Sequence, residues 1–263
     1  MNLNVAAILP HGSGLLGNEA SYQEARATAR AVCQLIAEAQ PQRLILITPH
    51  LLRPEGFSAL ITAERAGGSL EGRSLELELD PSLARSWINA AQAQGLSVFG
   101  VGFGTDRGPL ARAPLDWGSL VPLLLLQDVL APLPPLVLLA PRRDHRWQEL
   151  YALGSLLEQV LEVPSALIAS ADQAHAHSPQ GPYGFHPAAQ AYDEVVYRLT
   201  LQGALPKLLE LDPKLVELAR PDSLWQMLVA AGAIGYRKPD LIGYHRPSYF
   251  GMLSTGYRLT LTR

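Results

Sequence analysis

Two histidines occupy equivalent places in this chain. The apolar runs 3–9 and 43–48 each end in the same dipeptide, Pro10-His11 and Pro49-His50. Proline cannot continue a central ladder, so each run stops there and presents its histidine just beyond a strand's carboxyl end. Ligand sites of open α/β sheets lie at those ends. Imidazole is the commonest side-chain metal ligand, so the two rings are predicted to converge on a metal if their strands are neighbours. A third run, 165–170, opens into Ser170, Asp172, His175 and His177, followed by the loop 181–186 with Tyr183 and His186. Asp172 and His175 follow the strand end most closely. A histidine beside a carboxylate has a fixed tautomer and can act as acid or base near neutral pH. His145, His177 and His186 read as solvated residues of loops or a helix start, while the spacing of His245, between Tyr244 and Arg246, decides nothing by itself.

The elements that must carry these residues alternate between β-like and helical patterns. Segment 21–39 reads as a helix with Ser21 as N-cap and Glu24 at the capping-box position. With its flanking runs it forms a βαβ unit, which implies parallel strands. Helix 82–94, ended by Gly95, leads to strand 96–103. Helix 118–130 leads to strand 136–139, and helix 146–161 leads to strand 165–170. Three more helical stretches follow, 188–202, 206–219 and 223–233, with Asp212-Pro213 and Asp222-Ser223 as start signals. The Gly-punctuated, aromatic segment 241–262 reads as one or two strands that close the sheet, and 52–80 as a hairpin around Gly67-Gly68 or a surface excursion. The expectation is one α/β domain over 1–263, with a mixed, mostly parallel sheet flanked by helices.

Composition narrows the function classes. The 263 residues are 48% hydrophobic and 17% charged, enough for a large core and too apolar for disorder. A net charge of -3 and a pI near 6.2 leave no positive excess for nucleic acid. The 18 arginines and 3 lysines are scattered, so no polybasic membrane patch stands out. Gln127, Asp128 and several prolines interrupt the most apolar tract, 119–141, and the N-terminus lacks the pattern of a signal peptide. A cytoplasmic protein is expected. Cys33 is the single cysteine, which excludes an internal disulfide and an all-cysteine zinc site. HExxH and CxxC zinc motifs, a P-loop and a GxSxG elbow are all missing.

The order of the motifs ILPH (8–11), ITPH (47–50), LDWGSLVPL (115–123), IASADQAHAHSPQGPYGFHP (168–187) and GYHRPSYFGM (243–252) resembles the class III extradiol ring-cleavage dioxygenases of the LigB type, with Memo-like proteins as more distant relatives. The resemblance implies a mononuclear Fe(II) held by two histidines and a glutamate, with Zn(II) or another divalent metal as alternatives. His11 and His50 match the histidine ligands, and His175 matches the acid-base histidine beside a bound catechol. The implied substrates are a small aromatic diol and O2. The rival roles are a non-catalytic, Memo-like metal-binding protein and a zinc-dependent hydrolase.

Three positions depart from the family pattern. Its Tyr-Glu ligand pair reads Tyr244-His245 here, which makes His245 the expected third ligand. Its DHG motif reads Asp116-Trp117-Gly118, which puts Trp117 in the substrate pocket with Asp172 and Tyr183. Its SGDxSH motif reads Ser170-Ala171-Asp172-Gln173-Ala174-His175. A three-histidine site carries one negative charge fewer than a two-histidine, one-glutamate site, which favours a metal acting as a Lewis acid. The aromatic C-terminus is also a surface on which a twofold mate could pack.

Overall fold

The computed structural model describes residues 2–259. The strands are β1 (Leu3–Leu9), β2 (Arg43–Ile47), β3 (Ser58–Ile61), β4 (Arg65–Leu70), β5 (Arg73–Glu78), β6 (Val98–Val101), β7 (Arg112–Pro114), β8 (Leu136–Ala140), β9 (Ser165–Ser170), β10 (Leu241–His245) and β11 (Met252–Arg258). The helices are α1 (Gln23–Glu38), α2 (Pro81–Ala93), α3 (Trp117–Gln127), α4 (Trp147–Ser155), α5 (Leu157–Val160), α6 (Ala188–Leu201), α7 (Pro213–Ala219) and α8 (Leu224–Ile234). Eight strands form one mixed sheet in the order β10-β11-β1-β9-β2-β8-β3-β6. Its centre, β1-β9-β2-β8, is parallel throughout. The α/β architecture expected from the alternating pattern is therefore the one observed.

Continuous apolar strands signal a sheet covered on both faces, and the core is built that way. In β2, Leu44 and Leu46 face α1, α3 and the small sheet, while Ile45 and Ile47 face the layer of α2 and α4–α8. The chain around 52–80 forms a second, three-stranded sheet, β5-β4-β7. Its hairpin turns at Glu71-Gly72, where both residues have positive φ, and not at Gly67-Gly68, which lie inside β4. β10 and β11 add two antiparallel strands beside β1; the expected strand's residues 260–262 lie outside the described ones.

The first βαβ unit differs from expectation in one respect. β1 and β2 are parallel but not adjacent, because β9 inserts between them and pairs with both. The insertion works because the carboxyl ends of β1, β9, β2 and β8 all lie on one edge. That edge delivers His11, Asp172, His50 and Arg143 to a common region.

The N-terminus of α8 reaches the same edge. α8 crosses α4 very closely, through Gly154 and Gly232. A Cβ on Gly154 would land on the carbonyl oxygen of Val229, and one on Gly232 on that of Tyr151. Backbone cannot yield as a flexible side chain does, so Gly232→Ala is expected to cost about 1–3 kcal/mol by overpacking. A lower urea midpoint with an unchanged slope is the expected result, and an unchanged midpoint would show that the crossing relaxes freely.

Candidate metal centre

His11, His50 and Asp222 bring one donor atom each to a single point. His11 Nε2 lies 3.2 Å from His50 Nε2. Asp222 Oδ2 lies 2.8 Å from His50 Nε2 and 3.5 Å from His11 Nε2. Donors about 2.1 Å from a shared ion, at angles of roughly 90–110°, stand about 3.0–3.4 Å apart. The observed spacing is close to that.

Backbone chemistry sets the direction of the His11 ring. Pro122, inside α3, has no N–H to give to the Gly118 carbonyl four residues earlier. Ser170 Oγ donates its one proton to that carbonyl at 2.5 Å and stands 3.1 Å from His11 Nδ1. With its proton committed, the hydroxyl accepts from Nδ1–H, which leaves the Nε2 lone pair of the neutral ring facing Asp222 and His50, with Asp172 Oδ2 also 3.3 Å away. The His11 main-chain N–H donates to Asp172 Oδ1 at 3.0 Å. Gly118 is required where it stands, because a Cβ there would press on the His50 ring, on Pro49 and on Asp116.

Asp222 is oriented from the opposite side. Arg143 Nη2 donates to Asp222 Oδ1 and to the Pro49 carbonyl at 3.0 Å, and its guanidinium lies over Trp225. This holds Oδ1 and leaves Oδ2 to the imidazoles. Burial opposes the charge on Asp222, but the His11 and His50 contacts and the Arg143 cation outweigh it and hold its pKa well below the usual carboxylate range. Burial also opposes charge on His11, yet the carboxylates of Asp172, Asp222 and Asp116 raise its pKa. Burial pushes the Asp172 carboxyl up, against the pull of His11 and His175. The field that favours a proton on this imidazole equally favours a metal cation between the three donors.

The donors open into a cavity of about 860 Å³, also lined by Trp117, Asp172, His175, Tyr183, Tyr249 and Phe250. His175 faces this space without joining the donor cluster. Its Nδ1 is 2.9 Å from the Gln173 carbonyl, so it carries the proton there and leaves Nε2 as an acceptor. Its ring stacks on Phe250, with centroids 5.1 Å apart, and meets the edge of Tyr183. Burial lowers the His175 pKa, with Asp172 and Asp222 opposing. Trp117 is half exposed and stacks on His50, with centroids 4.0 Å apart. Asp116, beside it, caps α3 and accepts from Thr48 and Ser119.

Of the expected ligands, the structure brings His11 and His50 together but not His245. β10 is the edge strand, separated from β1 by β11, and His245 points into a different cavity. Its Nε2 lies 2.9 Å from Thr28 Oγ1 on α1, and its Nδ1 lies 3.7 Å from Glu24. The third donor of the cluster, Asp222, comes instead from a dipeptide that reads as a helix start. In the structure Ser223 is the N-cap of α8, and the carboxylate one residue earlier turns into the site. Capping and metal-ligating carboxylates look alike in sequence, and only the position of α8 separates them. His177 is also not solvated, since its side chain is 3% exposed and bonded to Asp193. The sequence reading also passed over a GxGxxG spacing at Gly12, Gly14 and Gly17, directly after β1. A short 3-10 turn follows β1 there, and α1 starts only at Gln23, so no helix N-terminus meets those glycines. Gly12 and Gly14 instead admit close approach by Met252 and by the Tyr22 ring.

Known proteins share this architecture. A crystal structure of the uncharacterized protein JW3007 from Escherichia coli K12 superposes with a TM-score of 0.60 at 17% identity, over 96% of this chain and 99% of that one. Protein CA_C1420 of Clostridium acetobutylicum is 23% identical over 98% of this chain, which spans 57% of that protein's length. The family described as the catalytic LigB subunit of aromatic ring-opening dioxygenase matches residues 5–260. Dioxygenases of this family use a divalent metal, and His11, His50 and Asp222 are a group of the described residues that could hold one. The chain belongs to the LigB family of aromatic ring-opening dioxygenases.

Proposed function

We propose that the chain opens a small aromatic diol with O2 at a ferrous ion held by His11, His50 and Asp222, with His175 as the proton acceptor. The donor set carries this reading. Two histidines and one carboxylate with open positions are the set used by non-haem Fe(II) oxygenases. The expected three-histidine site would have favoured plain Lewis-acid chemistry, but Asp222 supplies the missing negative charge. A cavity of about 860 Å³ suits a small organic ligand.

A ferrous ion bound there would supply diol chelation and oxygen activation. The protein's own groups supply the rest. Arg143 keeps Asp222 Oδ2 turned toward the donors and withdraws part of its charge. His175 donates Nδ1–H to a fixed carbonyl, so Nε2 is offered to a substrate hydroxyl. Its burial lowers its pKa and so favours the neutral ring, the form that accepts a proton. Phe250, Tyr249 and Tyr183 line the cavity beside His175 and offer aromatic faces and edges to a substrate ring. Trp117 lines the cavity and covers one face of His50. An indole offers one donor and no acceptor, so it cannot relay a substrate proton.

Metal analysis of protein purified without oxygen tests the donor set. Asp222→Ala is expected to lose most of the bound metal, while His245→Ala keeps the wild-type stoichiometry. The opposite result would return the third ligand to β10. Oxygen uptake with a panel of catechols, Fe(II) supplied, tests the reaction. His175→Ala is expected to lower the rate roughly 100- to 10,000-fold with metal content unchanged. Trp117→His is expected to raise turnover of simple catechols, and fast turnover by the wild type would show that the indole is no obstacle. Absence of oxygen uptake with every diol, by a protein full of metal, would favour the hydrolytic or binding roles.

A further inference from the structure

A second polar cluster lies behind the His175 loop and plays no part in the chemistry above. Asp193 of α6 is almost fully buried, with a side chain 4% exposed. Its Oδ1 accepts the Ala174 main-chain N–H at 2.9 Å. Its Oδ2 accepts from Tyr244 Oη at 2.5 Å and lies 2.7 Å from His177 Nε2. Arg246 Nη1 stands 2.7 Å from His177 Nδ1. A guanidinium only donates, so Nδ1 is the acceptor and Nε2–H points at Asp193. Every proton in the chain Arg246–His177–Asp193–Tyr244 therefore has an assigned direction.

The cluster bears on His175 through the main chain. Residues 173–176 are held by Gly251, which takes the Gln173 N–H at 2.8 Å and donates to the Ala174 carbonyl at 3.1 Å, and by the Ala219 carbonyl, which takes the His175 N–H at 3.1 Å. The Ala174 N–H, one residue before His175, has its bond from Asp193 alone among the described residues. Gly251 packs so tightly that a Cβ there would strike both the Asp193 carboxylate and the Tyr244 hydroxyl. The same loop thus divides the metal cavity from a second cavity of about 800 Å³, lined by His177, Tyr244, His245 and Arg246.

We infer that Asp193 is a positioning residue for His175, holding the Ala174–His175 backbone so that the Nε2 of His175 faces the metal cavity. This rests on the reading of His175 as the proton acceptor, so the test has one arm that needs no turnover. Asn at 193 can still accept from Ala174, but its amide N–H would oppose His177 Nε2–H. Turning His177 to the other tautomer would then set Nδ1–H against Arg246. Asp193→Asn is therefore expected to loosen the loop at unchanged metal content.

The first arm reads the ring-nitrogen chemical shifts of His175 in protein labelled at histidine, with the signal assigned by its loss in His175→Gln. Wild type should show the single tautomer protonated at Nδ1, and Asp193→Asn a mixture of the two. The second arm is turnover, where kcat should fall roughly 100-fold with KM little changed, as expected for a misplaced reacting group. His177→Gln, which restores a donor toward Asp193, should recover the single tautomer, whereas His177→Ala should not. That pair carries the test if Asp193→Asn does not fold. A single Nδ1–H tautomer in Asp193→Asn, or in His177→Ala, would overturn the inference. Loss of turnover in the wild type alone would count against the proposed reaction and leave the tautomer result standing.

Discussion

The Ser170 hydroxyl has one proton, and the Gly118 carbonyl takes it. That bond exists because Pro122 leaves the carbonyl without its helical donor. The hydroxyl can then only accept from His11 Nδ1, and the Nε2 lone pair is turned toward His50 and Asp222. These three atoms crowd one buried point, and each imidazole–carboxylate contact needs a proton or a metal cation between its two atoms. The remaining contacts keep those atoms from turning away: Arg143 on Asp222, Asp172 on the His11 backbone, Trp117 against His50.

The sheet makes this gathering possible. Each donor sits where a strand or helix ends, so its backbone is fixed by a ladder or a cap while its side chain is free to project. Inserting β9 between β1 and β2 puts the Ser170 hydroxyl beside His11 and the Asp172 carboxylate beneath it. Adjacent β1 and β2 would leave no strand between them to bring Ser170 and Asp172 to His11. Two carboxylates in the pocket then take different roles by environment. Arg143 and the imidazole contacts hold the Asp222 pKa down as it faces the donors, whereas burial pushes the Asp172 carboxyl up, with its Oδ1 on the His11 main-chain N–H and its Oδ2 3.3 Å from His11 Nε2.

The same environment separates the histidines. His11, His50 and His175 lie along the edge where the parallel strands end. His177, two residues after His175, points to the far side of the loop and is locked to Asp193. His245 lies on an edge strand two positions from β1. Residue type alone could not separate His175, between Ala174 and Ala176, from His177, between Ala176 and Ser178.

Local physical chemistry made much of this protein legible from sequence. Continuous apolar runs dictated strands covered on both faces, proline stopped two of them, and the repeated Pro-His dipeptide put His11 and His50 at strand ends. Those statements depend on backbone periodicity and on proline's missing donor, which any sequence displays. The order of strands, the partner of each carboxylate and the third donor depended on which elements pack together. Asp222 lies 172 residues after His50 in the chain, and reads as a helix cap until the glycine crossing of α4 and α8 sets its helix against the sheet edge. Such long-range packing is a property of the whole core, so the sequence determined the pieces of the site and tertiary structure decided which of them meet.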